Sequence, residues 1–142
     1  MGAWGTGILE NDTSADVYSD FFEQYNNGVV PEDVSTDLIK EYQEIIDEPN
    51  ETSNIWLALA LAQWETKSLN KVVLGTVTTL VENGSDIQRW KELGADEDDL
   101  LSREKVLSKF LKKINKEKTK AKAKARKKKK EPIFQKRGLS YL

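Results

Sequence analysis

Ile55-Trp56-Leu57-Ala58-Leu59-Ala60-Leu61-Ala62-Gln63-Trp64 is apolar on nearly every side when wound as a helix, and this stretch decides the fold. A helix with no polar face has no place on a surface and must sit at the centre of a domain. The uninterrupted apolar run, 55–62, is far shorter than the ~20 residues that span a bilayer. Thr52-Ser53-Asn54 immediately before it offers capping side chains. Other elements must therefore surround residues 55–64, and the flanking sequence shows what they are.

Toward the N-terminus, Asn11-Asp12-Thr13 opens a helix that carries Val17, Tyr18, Phe21, Phe22 and Tyr25 on one face, and Gly28 suits the position just past its end. Pro31 fits a first helical turn, with Glu32 and Asp33 at the positive dipole end. Val34, Leu38, Ile39, Tyr42, Ile45 and Ile46 form a stripe that Pro49 stops. Toward the C-terminus, Ser68-Leu69-Asn70 opens a segment whose apolar residues are Val72, Val73, Val77, Leu80 and Val81, closed by Gly84. Its Val and Thr content leaves residues 69–83 open to either helix or strand. Ser85-Asp86 caps a short helix with Ile87, Trp90 and Leu93, ended by Gly94. A last helix starts near 96–99 and carries Leu100, Leu101, Val106, Leu107, Phe110, Leu111 and Ile114. Periodicity and punctuation together give an all-α fold: a compact bundle of about five or six helices with a Lys-rich C-terminal extension.

After Ile114 the apolar stripe disappears. Residues 1–115 form the expected helical domain. Residues 116–132 form a basic linker, a frayed helical extension or a disordered segment. Residues 133–142 form a short strand-like tail after Pro132. The formal net charge of −2 conceals a split. Residues 1–110 hold 22 acidic against 8 basic side chains, and residues 111–142 hold 2 against 14. An acidic body with a basic tail points to a polyanionic partner or to self-association.

Composition excludes several chemistries. The chain has no Cys and no His. Disulfides, Cys-based zinc sites, thiol catalysis and Ser-His-Asp arrangements are ruled out. Carboxylates remain, and the densest cluster, Asp96-Glu97-Asp98-Asp99, is explained by solvent and by the helix dipole at a helix start. No catalytic residue, metal ligand or cofactor site is assigned, and the protein is expected not to be an enzyme. The opening residues show no basic segment followed by an apolar stretch, so a cytoplasmic location without membrane contact is expected.

Three features are candidates for more than packing. In Met1-Gly2-Ala3-Trp4-Gly5-Thr6-Gly7, Trp4, Gly5 and Gly7 form a structural anchor: the ring gains by burial and the glycines permit a tight turn. The block lacks the phosphate-loop pattern, and Glu10, Asp12 and Asp16 would repel phosphate. Trp56 and Trp64, eight residues apart, share roughly one face and either pack the core or line a pocket. The basic run supplies a possible polyanion contact through Lys112, Lys113, Lys116, Lys118, Lys120, Lys122, Lys124, Arg126, Lys127, Lys128, Lys129 and Lys130. No aromatic residue is interleaved among these cations, which removes the pattern of specific nucleic-acid recognition. Such a run also serves as a linker or folds back on the acidic body.

The opening block, with Glu10-Asn11-Asp12 and Ala15-Asp16-Val17, resembles the start of a bacterial family described as a domain of unknown function. The resemblance continues through Trp56-Leu57-Ala58-Leu59-Ala60, Ala62-Gln63-Trp64, Gly84-Ser85-Asp86 and Arg89-Trp90 to residues 107–114. It covers about the first 115 residues. It implies that the basic run is a linker toward a β-rich segment, of which 134–142 looks like a stub. It supplies no activity.

The expectation from these readings is a non-enzymatic protein–protein interaction domain, neutralising a basic partner in the manner of an immunity protein. The alternative is sequence-independent nucleic-acid association through the Lys-rich tail. Anchoring by Trp4 predicts that Trp4→Ala costs about 3–5 kcal/mol, to be measured by chemical denaturation, because a buried ring leaves a large cavity.

Overall fold

A computed structural model describes residues 5–124. Trp4, Arg126, Lys127, Lys128, Lys129, Lys130 and the strand-like 133–142 lie outside them. Six helices occur among the described residues: α1 (Asp12–Asn26), α2 (Pro31–Glu41), α3 (Thr52–Glu65), α4 (Lys71–Glu82), α5 (Ser85–Glu92) and α6 (Glu97–Ile114). No strand is present among them.

The apolar helix α3 is the hub. It packs against α1, α2, α4 and α6. Ile55, Leu57, Ala58, Leu59, Ala60 and Ala62 are all essentially inaccessible to solvent. Phe21 and Val17 of α1, Val34 and Leu38 of α2, Val73 and Val77 of α4, and Leu107, Phe110 and Ile114 of α6 complete the core. Gln63 is the polar member of the run and is buried as deeply as its neighbours. Its amide donates to Ser35 Oγ of α2 at 2.8 Å, and its carbonyl accepts from the Asn70 backbone N–H at 3.4 Å.

Residues 71–82 are helical, which settles the helix-or-strand alternative. Asn70 caps α4 by accepting from Val73 N–H. The threonine hydroxyls of Thr76 and Thr78 bond to the carbonyls of Val72 and Leu74 one turn back. Those bonds satisfy the hydroxyls inside the helix and leave Val73 and Val77 on the face turned to the core.

Two expected boundaries differ. The stripe through Ile46 does not continue as helix: α2 ends at Glu41 and residues 42–47 form successive turns. Tyr42 is drawn to α1, where its hydroxyl donates to Asp20 Oδ2 at 2.7 Å, while Ile46 still fills the core. Thr52-Ser53-Asn54 does not cap α3, whose N-cap is Glu51 with no side-chain bond. Ser53 and Asn54 are instead buried and committed to α5.

That commitment is the main polar device of the fold. Asp86 and Arg103 are both almost wholly buried, at 1% and 0% exposure. Arg103 grips Asp86 with two prongs, Nε to Oδ2 at 2.8 Å and Nη2 to Oδ1 at 3.2 Å. Asp86 Oδ1 also accepts from Ser53 Oγ at 2.7 Å and Arg89 Nη2 at 3.1 Å. Arg89 reaches on to Asn54 Oδ1 and the Asn50 carbonyl. Arg103 Nη1 donates to the carbonyls of Thr6 and Gly7 at 2.9 and 3.2 Å, and its guanidinium lies 5.2 Å from the centre of the Trp90 ring. Asp86 therefore does not cap α5; the N-cap is Gly84, in a left-handed conformation at φ 77°. One carboxylate faces two guanidiniums, and Arg89 Nε and Trp90 Nε1 have no acceptor among the described residues.

Burial alone would raise the Asp86 carboxyl, but the Arg103 hydrogen bond and charge, the Ser53 hydroxyl and Arg89 outweigh it and hold it below the usual range. A depressed folded-state value stabilises the fold above the unfolded value of about 3.9 and is lost as pH falls through the folded value. Stability should therefore hold from neutral pH down to about 4 and fall below it, as followed by urea unfolding at stepped pH. Asp86→Asn, which leaves two buried guanidiniums short of a counter-charge, should cost about 3–5 kcal/mol at neutral pH and abolish the Asp86 share of that acid dependence.

Candidate functional site

Gly7 of the opening block meets this network through its carbonyl. The Gly7 N–H donates to Glu10 Oε1 at 2.9 Å, and a side chain at Gly5 would collide with the Glu10 carboxylate. Their neighbour Thr6 shares a hydroxyl contact with Ser102 of α6 at 2.8 Å. Among the described residues, then, the N-terminal block is held by its carbonyls through Arg103, a residue that carried no signal in the sequence.

Of the basic run, the structure describes the part up to Lys124. Residues 116–124 are non-helical and lie along the body. Trp64 Nε1 donates to the Lys116 carbonyl at 2.7 Å. Tyr25 Oη donates to the Lys122 carbonyl at 2.6 Å, and Lys122 N–H donates to the Glu65 carbonyl at 2.7 Å. The backbone of the segment is thus held at both ends by α1 and α3.

Its lysines, with Lys113 from the last turn of α6, lie over the aromatic rings that those helices present. Lys113 and Lys118 sit 5.2 and 4.8 Å from the centre of the Trp64 ring. Lys122 sits 4.8 Å from Phe22 and 5.7 Å from Tyr18, and Lys124 5.4 Å from Tyr25. All are within reach of the ring quadrupole, each worth roughly 0.5–1 kcal/mol at an exposed site. Lys122 Nζ also stands 3.9 Å from Glu65 Oε1 and 3.3 Å from Tyr18 Oη. Tyr18 donates its hydroxyl proton to Glu65 at 2.5 Å. Burial, this bond and the Glu65 charge push the Tyr18 phenol well above its ordinary value, so it remains a donor at any physiological pH.

The aromatic platform is itself well ordered. Tyr18, Phe21, Phe22 and Tyr25 form a chain of tilted and edge-on ring pairs along α1, with centroids 4.8 to 6.5 Å apart. Such pairs stiffen a surface whose rings are fixed by the core beneath. Around it the charge is one-sided: residues 10–51 hold thirteen acidic side chains against Lys40 alone.

The fold therefore brings Lys113, Lys116, Lys118, Lys122 and Lys124 to α1 and α3. Of these Lys118 is half-buried and the others stay exposed, as do Lys112 and Lys120. The interleaved aromatics absent from the basic run come from residues roughly a hundred positions away in sequence. Trp56 and Trp64 are both partly buried against the core, and Trp64 is the one that also meets the basic segment. The Asp96–Asp99 cluster is a helix start, with Asp96 accepting from Asp99 N–H at 2.9 Å. No group of three or more acidic residues able to hold a metal ion occurs among the described residues, and no helix among them is long and apolar enough to cross a membrane.

A family model described as a domain of unknown function (DUF4259) matches residues 2–128. The match runs past the end of α6 and takes in the segment lying in the groove. No curated protein and no solved structure matches the chain.

Trp64 is the post of this arrangement. Trp64→Ala removes the bond to the Lys116 carbonyl and the ring beneath Lys113 and Lys118, a loss of about 1–2 kcal/mol in docking. Residues 116–124 should then be cleaved by trypsin roughly 5- to 30-fold faster in limited proteolysis, before the core fragment is cut.

Proposed function

The chain belongs to this family of unknown function, and from its surface we propose that it is a non-enzymatic protein-interaction domain whose α1–α3 groove receives an extended, lysine-rich segment of a basic partner. One observation carries the reading: the groove already holds such a segment from its own chain. The contacts have the form that recognition of a lysine-rich strand needs. Backbone carbonyls are caught by Trp64 and Tyr25, a backbone N–H is caught by Glu65, and ammonium groups rest on aromatic faces.

The acidic face supports it. Thirteen carboxylates along residues 10–51 create a field that draws a cationic surface in and orients it before contact. Each docking contact of the resident segment is individually small, and its lysines other than the half-buried Lys118 are exposed. A partner offering the same chemistry at higher local concentration competes on equal terms. Neutralising a basic partner, as an immunity protein does, belongs to this class.

The test uses the full chain. Lys122→Glu with Lys124→Glu sets carboxylates against Glu65 and the aromatic faces and so releases the resident segment. A fluorescent lysine-rich peptide should bind this variant about tenfold more tightly than the unaltered chain, a difference of about 1.4 kcal/mol, measured by anisotropy. Raising salt should weaken binding to both. Equal affinity for the two proteins, or no peptide binding by either, would refute the reading.

A further inference from the structure

The basic segment does not place all its charge against acidic groups. At the end where α3 runs into α4, it meets other cations. A cleft of about 330 Å³ lies between the α3–α4 loop, the end of α6 and the start of the segment. Lys67, Lys71, Lys116 and Lys118 line it, over an apolar floor that includes Trp64 and Leu74. Glu117 is the lone carboxylate among the lining residues, and its contact with Lys67 is long, 3.9 Å, between side chains 39% and 88% exposed. A surface pair of that kind contributes little. Four ammonium groups facing one carboxylate repel one another, and a concave, partly apolar wall concentrates their field.

The loop that presents Lys67 adds a second observation. Helix α3 ends in a Schellman turn: Ser68 N–H bonds to the Gln63 carbonyl at 2.7 Å and Lys67 N–H to the Trp64 carbonyl at 3.1 Å. Lys67 occupies the left-handed position of that turn at φ 56°, the single non-glycine residue with positive φ among the described residues. Glycine is the residue that fits there without strain. A lysine held at this point places a cation at the mouth of the cleft at the cost of backbone strain, as functional positions do.

We propose that this cleft is a phosphate-binding site, in which Lys67 and Lys71 of the body act together with Lys116 and Lys118 to hold the phosphates of a polyanion without reading sequence. Lysine suits this role, since each ammonium is a compact point charge with three donors and no acceptor. The volume is at the lower end of ordinary ligand sites and is open enough for a chain of phosphates to pass. The source of the phosphates is either a nucleic-acid backbone or a free polyphosphate. The cleft shares Trp64, Lys116 and Lys118 with the near end of the groove, while Lys67 and Lys71 lie outside the groove and Lys122 and Lys124 lie outside the cleft. Its assignment does not rest on the protein-partner reading.

The experiment measures binding of a short fluorescent DNA duplex, and separately of inorganic tripolyphosphate, to the full chain across a salt series. The variant is Lys67→Gly with Lys71→Gln, both exposed positions, the first relieving the left-handed strain. The duplex should bind the unaltered chain at low salt. In the variant, binding should weaken several-fold and the slope of log affinity against log salt should fall by roughly 1.8, the release expected for two lost phosphate contacts. Thermal stability should not decrease and binding of the lysine-rich peptide should be unchanged. Tripolyphosphate bound by the unaltered chain and lost in the variant, with no duplex binding, would support the cleft with a free polyphosphate as its occupant. Affinity and salt slope equal in the two proteins would overturn the proposal, since the tail lysines would then be acting alone. Absence of binding to either probe at low salt would overturn it as well.

Discussion

The two-pronged contact between Arg103 and Asp86 is the constraint on which the rest of the structure depends. It joins α6 to α5, and through Ser53 and Arg89 it joins both to the start of α3. The free end of the same guanidinium holds the carbonyls of Thr6 and Gly7. Four parts of the chain that are far apart in sequence thus meet at one charge. An ion pair so buried is stabilising only because its geometry is good and nearly every lone pair on Asp86 is used. Hydrophobic packing around α3 supplies the bulk of the driving force without direction. The Asp86 cluster supplies direction, since α5 and α6 cannot rotate about their axes without exposing a bare charge to the interior.

With the C-terminal helix fixed in this way, the point where the chain leaves the bundle is fixed too. Helix α6 ends at Ile114, buried beside Trp64, and the following residues run across α3 and α1. The basic segment has a ready surface there because the aromatic residues of α1 are not all spent on the core. Phe21 is fully enclosed, while Tyr18 keeps an exposed edge and a hydroxyl. The same helix thus stabilises the bundle with one side and offers a platform for ammonium groups with the other. Charge then sorts itself along the molecule. The acidic α1–α2 region lies at one end of the segment's path, and a small cluster of lysines gathers at the other, around Lys67 and Lys71.

Much of the secondary structure could be read in advance, and the errors share a cause. Asn11, Asn70 and Asp96 are caps in fact because capping needs only the next three residues. Ser53, Asn54 and Asp86 look like caps by the same local rule, but a partner elsewhere in the fold wins over the local N–H. Ser53 gives its hydroxyl to Asp86, and Asp86 takes two guanidiniums in preference to its own helix start. The stripe at Tyr42, Ile45 and Ile46 is real as a set of inward residues, yet turns deliver it, since the Tyr42 hydroxyl is drawn to Asp20. Arg103 gave no warning: one arginine in a charged amphipathic helix is indistinguishable from its solvent-exposed neighbours until the helix is docked. The candidate groove was half visible, in the lysines and in Trp64. Its other half, Tyr18, Phe22 and Tyr25, reads as one inward helix face, and Phe22 and Tyr25 are indeed buried while also meeting the lysines.

By itself the sequence determined the all-α fold class, the places where most helices start and stop, and the segregation of charge. Each follows from short-range pattern: an all-round apolar helix has to be enclosed, Gly and Pro end helices where they stand, and net charge is a sum over residues. Only the tertiary structure decided which polar side chains are buried and what the basic run rests on. Both depend on pairs separated by tens of positions or more, such as Asp86 with Arg103 and Tyr25 with Lys122. Such pairs exist because the core brings the helices to one register. Burial then converts a weak surface attraction into a contact that fixes the path of the chain.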